Sequence, residues 1–341
     1  MLNPLRQRVG AILVAATLGC STTRRRRTYR ARCRSVRDYA NVDPTMARGW
    51  NRRHFLLSTF GVMACSPPRL AGPTTHPTRA LRSVAEIEAS VGGRVGVFAI
   101  DTGAGRQLAH RADELFAMCS TFKWVLAAAI LVAVDRAQLS LDDRVSYGPS
   151  DLLEYAPVVR EHIDEGTLTV EALARAVVTV SDNTAANLLL AKVGGPAGLT
   201  RFVRLMGDPV TRLDRTEPTL NSNEPGDPRD TTSPRAMVGL MRRVLSGDTL
   251  SNTSREHLLS WLRDCETGKQ RLRAGFPRNW VVGDKTGTGA RGATNDVAIA
   301  MPPGRAPIFV AAYMSEGAVG STALQEAHSE VGQLVARELG L

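Results

Sequence analysis

Residues 120–136 read STFKWVLAAAILVAVDR, a serine and a lysine three positions apart at the start of a long apolar run. The run contains no Gly or Pro and predicts one apolar helix. Helical patterns continue from here to about residue 260. Residues 94–101, before this block, alternate in the manner of a strand, and strand patterns return within residues 280–314. The sequence therefore predicts a sheet formed by the first and last parts of this region, with a helical insertion between them.

A strand block that is interrupted by helices predicts two lobes built from one chain. We expect the segments at about 83–117 and 265–341 to share one sheet, and the insertion at about 118–264 to form an all-α lobe. A cleft between two such lobes is a natural place for a site. Residues 83–341 would form this domain, and residues 1–82 have a different composition.

The net charge of +10 belongs to the N-terminal segment and not to the predicted domain. Residues 1–79 contain fifteen Arg and two acidic residues, which leaves a net charge of −3 for the other 262 residues. Because a nucleic-acid-binding domain needs a basic patch, nucleic acid is not an expected partner. The five Cys and six His show none of the common zinc-ligand spacings, so we expect no metal site.

The N-terminal segment has the features of an export signal. Arg52 and Arg53 stand just before an apolar stretch, residues 55–65, that is too short to span a bilayer. An arginine pair in this position is typical of the twin-arginine export route. We expect this signal at about 46–65, a linker at 66–82, the twin-arginine export machinery as a partner, and an exported protein in the periplasm or cell envelope, or secreted.

Two features of this segment leave alternatives open. The residues around Cys65 resemble a lipoprotein cleavage box, which would put a lipid anchor on that cysteine; the alternative is plain cleavage before Ala80. Residues 1–45 contain a second short apolar run and four consecutive arginines. Since two export signals in series make little physical sense, our hypothesis is that translation starts at Met46.

Ser120 and Lys123 form the first of four short motifs that could carry chemistry. Residues three apart lie on one side of a helix, so the Lys123 amine can reach the Ser120 hydroxyl. A serine becomes a nucleophile when a neighbouring base takes its proton, and a lysine with a lowered pKa can be that base. Only four of the 43 basic residues are Lys, so a motif that contains Lys is unlikely to arise by chance. Taken by itself, however, this pair could also be a helix-capping Ser with a surface Lys nearby.

Three further motifs follow along the chain. Residues 181–183 (Ser-Asp-Asn) lie at a predicted helix start, where they could simply cap the helix. Glu217 and Asn221, four apart in a polar loop, could hold one water between them or be ordinary loop residues. Residues 285–289 (Lys-Thr-Gly-Thr-Gly) follow a predicted strand; their amine and hydroxyl groups suit a carboxylate, and a β-turn with a solvated Lys is the alternative.

Together and in this order, the four motifs closely resemble those of the class A serine β-lactamases, with mycobacterial and actinobacterial members the nearest. The resemblance covers residues 83–341, which would be the catalytic domain. It implies a two-lobed α+β fold of the serine β-lactamase and transpeptidase type, with an antiparallel sheet flanked by helices and an all-α lobe. It also implies hydrolysis of the β-lactam amide of penicillins and related antibiotics, and hence antibiotic resistance, by a monomer without a cofactor.

The resemblance implies a role for each predicted site residue. Ser120 would be the nucleophile, Lys123 and Glu217 would share general-base work, and Ser181 would pass a proton to the lactam nitrogen. The backbone N–H groups of Ser120 and Thr288 would form the oxyanion hole. The other residues would bind substrate or hold the loop: Asn183 at the acylamide side chain, Asn221 at the deacylating water, Lys285, Thr286 and Thr288 at the carboxylate, Tyr155 at the cleft mouth, and Arg215 with Asp230 as an ion pair at the ends of the Glu217 loop.

The sequence departs from the family pattern in two places that matter for the site. Many members have an Arg where this chain has Thr294, and we assign the carboxylate contact to Arg271, as in mycobacterial-type members. Cys119 precedes the nucleophile, but Gly289 occupies the region where carbapenem-hydrolysing members have the disulfide partner. We therefore expect Cys119 and Cys265 to be free thiols.

Two other classes of protein share part of this pattern. A penicillin-binding D,D-peptidase forms the same acyl-enzyme but lacks the motif of Glu217 and Asn221, whose presence favours a hydrolase. A non-hydrolytic β-lactam sensor domain also stays acylated. Sensors are usually tied to transmembrane helices, and the sequence has no apolar run of about twenty residues.

Overall fold

The computed structural model describes residues 81–340, and its central sheet has five antiparallel strands in the spatial order Gln107–His110, Arg94–Asp101, Ile308–Ser315, Thr294–Met301 and Val281–Thr288. The strands are β1 (Arg94–Asp101), β2 (Gln107–His110), β3 (Phe116–Ala117), β4 (Arg144–Ser146), β5 (Thr167–Thr169), β6 (Thr231–Thr232), β7 (Val281–Thr288), β8 (Thr294–Met301) and β9 (Ile308–Ser315). The helices are α1 (Val84–Val91), α2 (Phe122–Asp135), α3 (Pro157–Glu161), α4 (Val170–Thr179), α5 (Asn183–Lys192), α6 (Gly195–Leu205), α7 (Pro234–Ser246), α8 (Asn252–Arg263), α9 (Leu272–Gly275) and α10 (Ser321–Leu339). The predicted export signal, Cys65 and nearly all of the linker lie outside the described residues.

Strand β1 shows how the sheet is covered on both faces. Val95, Val97 and Ala99 belong to an apolar cluster with residues of α1 and α10, whereas Phe98 and Ile100 belong to a second cluster that extends into the helical lobe. Successive side chains of a strand point to opposite faces, so one strand contributes to both cores. Because β1 pairs with β9 along its whole length, the first and last parts of the domain share one sheet, as the sequence predicts.

Helix α2 lies at the centre of the helical lobe because it is apolar on every side. All its residues from Phe122 to Val132 are buried, Lys123 included, and the helix packs against α4, α5, α6 and α8. A helix without a polar face must be covered all round. The first turn of α2 therefore carries Lys123 into the interior. Within residues 81–340, no helix is both long and apolar enough to cross a membrane.

Two sequence-based expectations need correction here. The predicted all-α lobe is not wholly helical, since β4 and β5 pair within it through Val145 and Leu168. A strand of three residues is too short for its alternation to be recognised in the sequence. The Lys-Thr-Gly motif, predicted to follow a strand, lies inside β7, and residues 281–288 pair with β8 throughout.

Candidate active site

Ser120 lies in a tight turn at the boundary between the two lobes. Cys119–Thr121 form a single 3-10 turn before α2, and Cys119 has a positive φ of 46°. No side chain caps the start of α2, so the capping alternative for Ser120 does not apply. The Ser120 hydroxyl instead donates a hydrogen bond of 3.1 Å to Glu217 Oε1. The turn thus directs the hydroxyl at a carboxylate that is distant in sequence.

Lys123 has no exposed surface and is surrounded by acceptors. Its Nζ lies 2.9 Å from Glu217 Oε1, 2.8 Å from the Ser181 carbonyl oxygen, 3.3 Å from Ser181 Oγ and 2.5 Å from Asn183 Oδ1. Burial lowers the pKa of Lys123, and the charge of Glu217 opposes that shift. The predicted direct contact of the Lys123 amine with the Ser120 hydroxyl is not formed; the two side chains instead contact the same oxygen, Glu217 Oε1.

Within residues 181–183, Asp182 and not Ser181 caps the following helix, α5. Asp182 is the N-cap of α5, and its side chain accepts from the Ala185 N–H at 2.8 Å. Ser181 precedes the helix with a positive φ of 62°. Its Oγ lies 3.3 Å from Lys123 Nζ and accepts a hydrogen bond of 3.1 Å from Lys285 Nζ. Ser181 therefore bridges the two buried lysines.

Glu217 is held by two asparagines, one of which sequence reasoning missed. Asn221 Nδ2 donates to Glu217 Oε2 at 2.6 Å, four residues along the loop. Asn187 donates to the Glu217 carbonyl at 2.9 Å and accepts from its N–H at 3.0 Å. Asn187 follows Asn183 by four positions on α5, so the two share one helix face. That spacing was the available signal for Asn187.

Arg215 and Asp230 form the predicted ion pair across the two ends of the Glu217 loop. Arg215 Nε donates to Asp230 Oδ2 at 2.5 Å. The other oxygen, Oδ1, accepts from the backbone N–H groups of Asp214 at 2.7 Å and Arg215 at 2.9 Å. Asp230 is fully buried. One carboxylate therefore joins both ends of the loop by charge and by backbone hydrogen bonds.

The Lys-Thr-Gly motif brings β7 against the turn that carries Ser120. A Cβ on Gly287 would lie 2.6 Å from the Met118 carbonyl oxygen and 3.2 Å from the Ser120 nitrogen, so only glycine permits this approach. Lys285 is fully buried, and its Nζ also donates to the Thr286 carbonyl at 2.9 Å. The β-turn alternative with a solvated Lys does not apply.

Arg271 reaches the same edge of the cleft from the segment before α9. Its Nη1 donates to the carbonyl oxygens of Gly287 at 2.9 Å and Asn295 at 2.6 Å, and its Nη2 donates to Thr288 Oγ1 at 2.7 Å. Burial lowers the pKa of Arg271, but a guanidinium remains charged in proteins. Arg271 thus lies beside the threonine that the sequence assigned to the carboxylate.

Part of this constellation lines one cleft with a volume of about 280 Å³, with Lys123, Glu217 and Lys285 buried behind its wall. Tyr155 is 50% exposed at its rim and donates to the Val180 carbonyl at 3.0 Å. Thr267, which sequence reasoning missed, contacts Thr286 Oγ1 at 2.5 Å. The cleft is lined by Ser120, Tyr155, Ser181, Asn183, Asn221, Thr267, Arg271, Thr286, Gly287 and Thr288. Across residues 81–340, no group of three His, Cys, Asp or Glu side chains could hold a metal ion.

Comparison with known proteins agrees with this geometry. A model of the β-lactamase enzyme family matches residues 78–339. β-Lactamase L2 of Stenotrophomonas maltophilia is 46% identical over 301 residues, which cover 85% of this chain and 99% of the relative. The chain belongs to the β-lactamase family. β-Lactamase AST-1 of Nocardia asteroides is 48% identical over 227 residues, covering 67% and 73% of the two chains.

Solved structures define the class of this β-lactamase. An ancestral class A β-lactamase is 54% identical, with a TM-score of 0.73 over 74% of this chain and 97% of that one. The class A enzyme PenP of Rhodopseudomonas palustris, described as putative, is 51% identical with the same TM-score and coverage of 74% and 97%. The predicted class A membership and the two-lobed α+β fold are confirmed, while the actinobacterial subtype stays a prediction.

Cys119 and Cys265 are both buried and free in this β-lactamase. Burial raises the pKa of Cys119 to about 12 and raises that of Cys265 as well. A Cβ on Gly289 would lie 2.7 Å from Cys119 Sγ, so the residue that replaces the family's disulfide partner does lie against this thiol. Buried thiols with raised pKa values react slowly, so neither cysteine is suited to be a nucleophile.

Proposed function

We propose that Ser120 carries the acyl group while this class A enzyme hydrolyses the β-lactam amide of penicillins and related antibiotics. The supporting observation is the meeting of the Ser120 hydroxyl and the Lys123 amine on one oxygen of Glu217. A nucleophile within hydrogen-bond distance of a base, with that base oriented by a third group, is the usual arrangement of an activated serine.

Glu217 receives the Ser120 proton during acylation. The groups within 3.3 Å of Lys123 Nζ are all oxygen atoms that can accept a hydrogen bond, which favours the ammonium form with its three donors. A charged Lys123 cannot take a proton, whereas the Glu217 carboxylate already accepts the hydrogen bond from Ser120. The Lys123 ammonium then stabilises the charge that develops on the serine oxygen.

Ser181 passes a proton to the departing lactam nitrogen. Its hydroxyl lies between the Lys123 and Lys285 amines, at 3.3 Å and 3.1 Å, so a proton that it gives up can be replaced from either lysine.

Deacylation then uses a water activated by Glu217, and Asn221 holds Glu217 Oε2 at 2.6 Å while lying at the cleft surface. Lys285, Arg271, Thr286 and Thr288 bind the substrate carboxylate, and Asn183 binds the acylamide group.

The first test is turnover of excess benzylpenicillin and nitrocefin by the purified protein and by Ser120→Ala. We expect the wild type to form many product molecules per enzyme molecule. Intact-mass measurement of the variant should show no acyl adduct. Loss of the nucleophile typically costs several orders of magnitude in rate. One product equivalent with a persistent adduct on the wild type would instead indicate a penicillin-binding protein or a sensor.

Lys285 makes substrate binding sensitive to alkaline pH. Burial is the main cause that lowers the pKa of Lys285 to about 8, with a contribution from the charge of Lys123. The free enzyme therefore loses this cation above pH 8, and we expect KM for benzylpenicillin to rise about fivefold between pH 8 and pH 9. Lys285→Arg keeps its charge over this range and should show a flat profile. An equal rise in KM for both proteins would exclude Lys285 as the source.

We also propose that the protein is exported by the twin-arginine route and acts as a monomer in the periplasm, in the cell envelope or after secretion. The support is the Arg52-Arg53 pair before the short apolar stretch at 55–65. A lipid anchor at Cys65 and plain cleavage before Ala80 remain the two alternatives for its attachment. Cell fractionation with and without detergent extraction distinguishes them.

A further inference from the structure

Asn295 is a buried polar residue on β8 whose side chain takes no part in the steps above. It lies directly opposite Gly287 in the pairing of β7 with β8, and it has no exposed surface. It is not among the residues that line the cleft. A buried amide costs free energy unless its polar atoms are hydrogen-bonded, so the partners of Asn295 show what its side chain holds in place.

Both polar atoms of the Asn295 side chain are hydrogen-bonded, and the nitrogen bonds to the segment just before Ser120. Nδ2 donates to the Ala117 carbonyl at 2.9 Å and to the Met118 carbonyl at 3.1 Å. Oδ1 accepts a hydrogen bond of 3.4 Å from the Met314 N–H on β9. One side chain therefore fastens the turn that carries the nucleophile to two strands of the central sheet.

This turn is also the place where β7 closely approaches Ser120. A Cβ on Gly287 would lie 2.6 Å from the Met118 carbonyl oxygen and 3.2 Å from the Ser120 nitrogen. Thr288 follows Gly287, and the N–H groups of Ser120 and Thr288 are the two that we assign to the oxyanion hole. The separation of these N–H groups depends on how the turn is fixed against β7. The Met118 carbonyl, which Asn295 binds, lies at that contact.

We propose that Asn295 is a positioning residue for the oxyanion hole: its amide holds the turn at the distance from β7 at which the Ser120 and Thr288 N–H groups bond to one oxygen. The inference rests on the proposed role of Ser120 as the nucleophile. An amide suits this task because it has two N–H donors for two carbonyls and adds no charge beside the oxyanion. An oxyanion hole is effective because its donors are fixed before the charge develops.

Substrate binding should depend little on the Asn295 side chain. Arg271 donates to the main-chain carbonyl of Asn295 at 2.6 Å, to the Gly287 carbonyl at 2.9 Å and to Thr288 Oγ1 at 2.7 Å. A substitution at position 295 leaves all three of these acceptors in the chain. Loss of the amide should therefore slow attack on the lactam carbonyl, while the contacts assigned to the substrate carboxylate remain.

The kinetic test is stopped-flow measurement of nitrocefin ring opening by Asn295→Leu, which removes both donors at nearly constant size. We expect the limiting rate per active site to fall about 10- to 100-fold, because the loss of a whole oxyanion-hole donor costs about 10²- to 10³-fold. The half-saturating concentration should stay within about threefold of the wild type. Asn295→Ser, which keeps one donor and leaves room for a water, should retain the fold and show a smaller loss in the same direction.

Two controls separate this effect from a loss of stability. Asn252→Leu makes the same change at an exposed position on α8. Leu334→Ala opens a cavity in the apolar cluster of α1 and α10. Both should keep the limiting rate within about twofold of the wild type. A wild-type limiting rate in both Asn295 variants, an equal fall in Leu334→Ala, or a raised half-saturating concentration with an unchanged limiting rate overturns the proposal.

The ester carbonyl of the acyl-enzyme reports on the oxyanion hole directly, because a C=O group that accepts weaker hydrogen bonds absorbs at higher frequency. In infrared difference spectra of Glu217→Gln acylated by benzylpenicillin, we expect this band to move to higher frequency when Asn295→Leu is added. Adding Leu334→Ala should leave the band in place. An unmoved band in the Asn295 variant overturns the role of Asn295 and leaves the proposed function intact. If the wild type opens no nitrocefin at all, the proposed function itself fails, so the two failures are distinguishable.

Discussion

Glu217→Gln is expected to accumulate the acyl-enzyme and to turn over benzylpenicillin about 10²- to 10⁴-fold more slowly than the wild type, the range of general-base catalysis. Gln keeps the size of Glu217 and can still bond to Asn221, which holds Oε2 at 2.6 Å. It cannot take a proton from water, so deacylation loses its base. Intact mass after brief exposure to substrate should show one acyl group on nearly every molecule.

Acylation should survive the Glu217→Gln substitution, because the charge of Glu217 influences the pKa of Lys123. Glu217 is the charge that opposes the effect of burial on the pKa of Lys123. Without the Glu217 charge, burial is opposed mainly by the charge of Asp182, so the pKa of Lys123 falls further and we expect its neutral form to take the Ser120 proton. We therefore expect the rate of acylation to fall much less than the rate of deacylation. A variant that never acylates would show that Glu217 is the obligatory base of both steps.

Glu224→Gln is the matched control in the same loop. Glu224 is about half exposed and pairs with Arg291 at the surface. Its loss removes one acidic charge near the cleft without touching Ser120 or Lys123. Turnover should stay within about twofold of the wild type, because an exposed ion pair contributes little. Accumulation of an adduct in this variant as well would point to the loop as a whole instead of the Glu217 carboxylate.

The parts of this site that could be predicted from the sequence are those whose chemistry is local. Ser120 and Lys123 are three apart at the start of a run that can only be a buried helix, and α2 begins at Phe122 and ends at Asp135. The extent of β7 is harder to predict from the sequence, because the Gly and Thr residues at 286–289 resemble those of a turn. What makes 285–288 a strand is its pairing with β8, a contact that no window of the sequence displays.

Residues that act through long-range contacts were the ones missed. Asn187 holds the backbone of Glu217 from 30 positions away, and Thr267 contacts Thr286 in the lining of the cleft. The spacing of Asn187 from Asn183 places the two on one helix face but does not show what Asn187 contacts, and Thr267 has no local pattern that distinguishes it from a surface polar residue. The same holds for the partner of the Ser120 hydroxyl, which was expected to be Lys123 and is Glu217. Such side-chain contacts depend on how the two lobes pack together. The spacing of a motif predicts only which residues lie close together within one helix, strand or loop.

Asp230→Ala is expected to lower the free energy of unfolding by about 3–5 kcal/mol, the usual cost of removing one partner of a buried ion pair. Three donors lose their acceptor: Arg215 Nε at 2.5 Å and the backbone N–H groups of Asp214 and Arg215 at 2.7 and 2.9 Å. Because the Asp230 side chain has no exposed surface, water cannot easily replace it. Urea unfolding at constant pH measures the difference.

The same substitution should also slow deacylation, since the loop that carries Glu217 loses the contact between its ends. Asp113→Ala is the control, because Asp113 pairs with Arg235 while their side chains are 74% and 44% exposed. That pair should contribute about 0–1 kcal/mol and leave turnover unchanged. Equal destabilisation by the two substitutions would mean that the Asp230 carboxylate acts as an ordinary surface charge. A stable Asp230→Ala protein with slow deacylation would separate its effect on Glu217 from its effect on the fold.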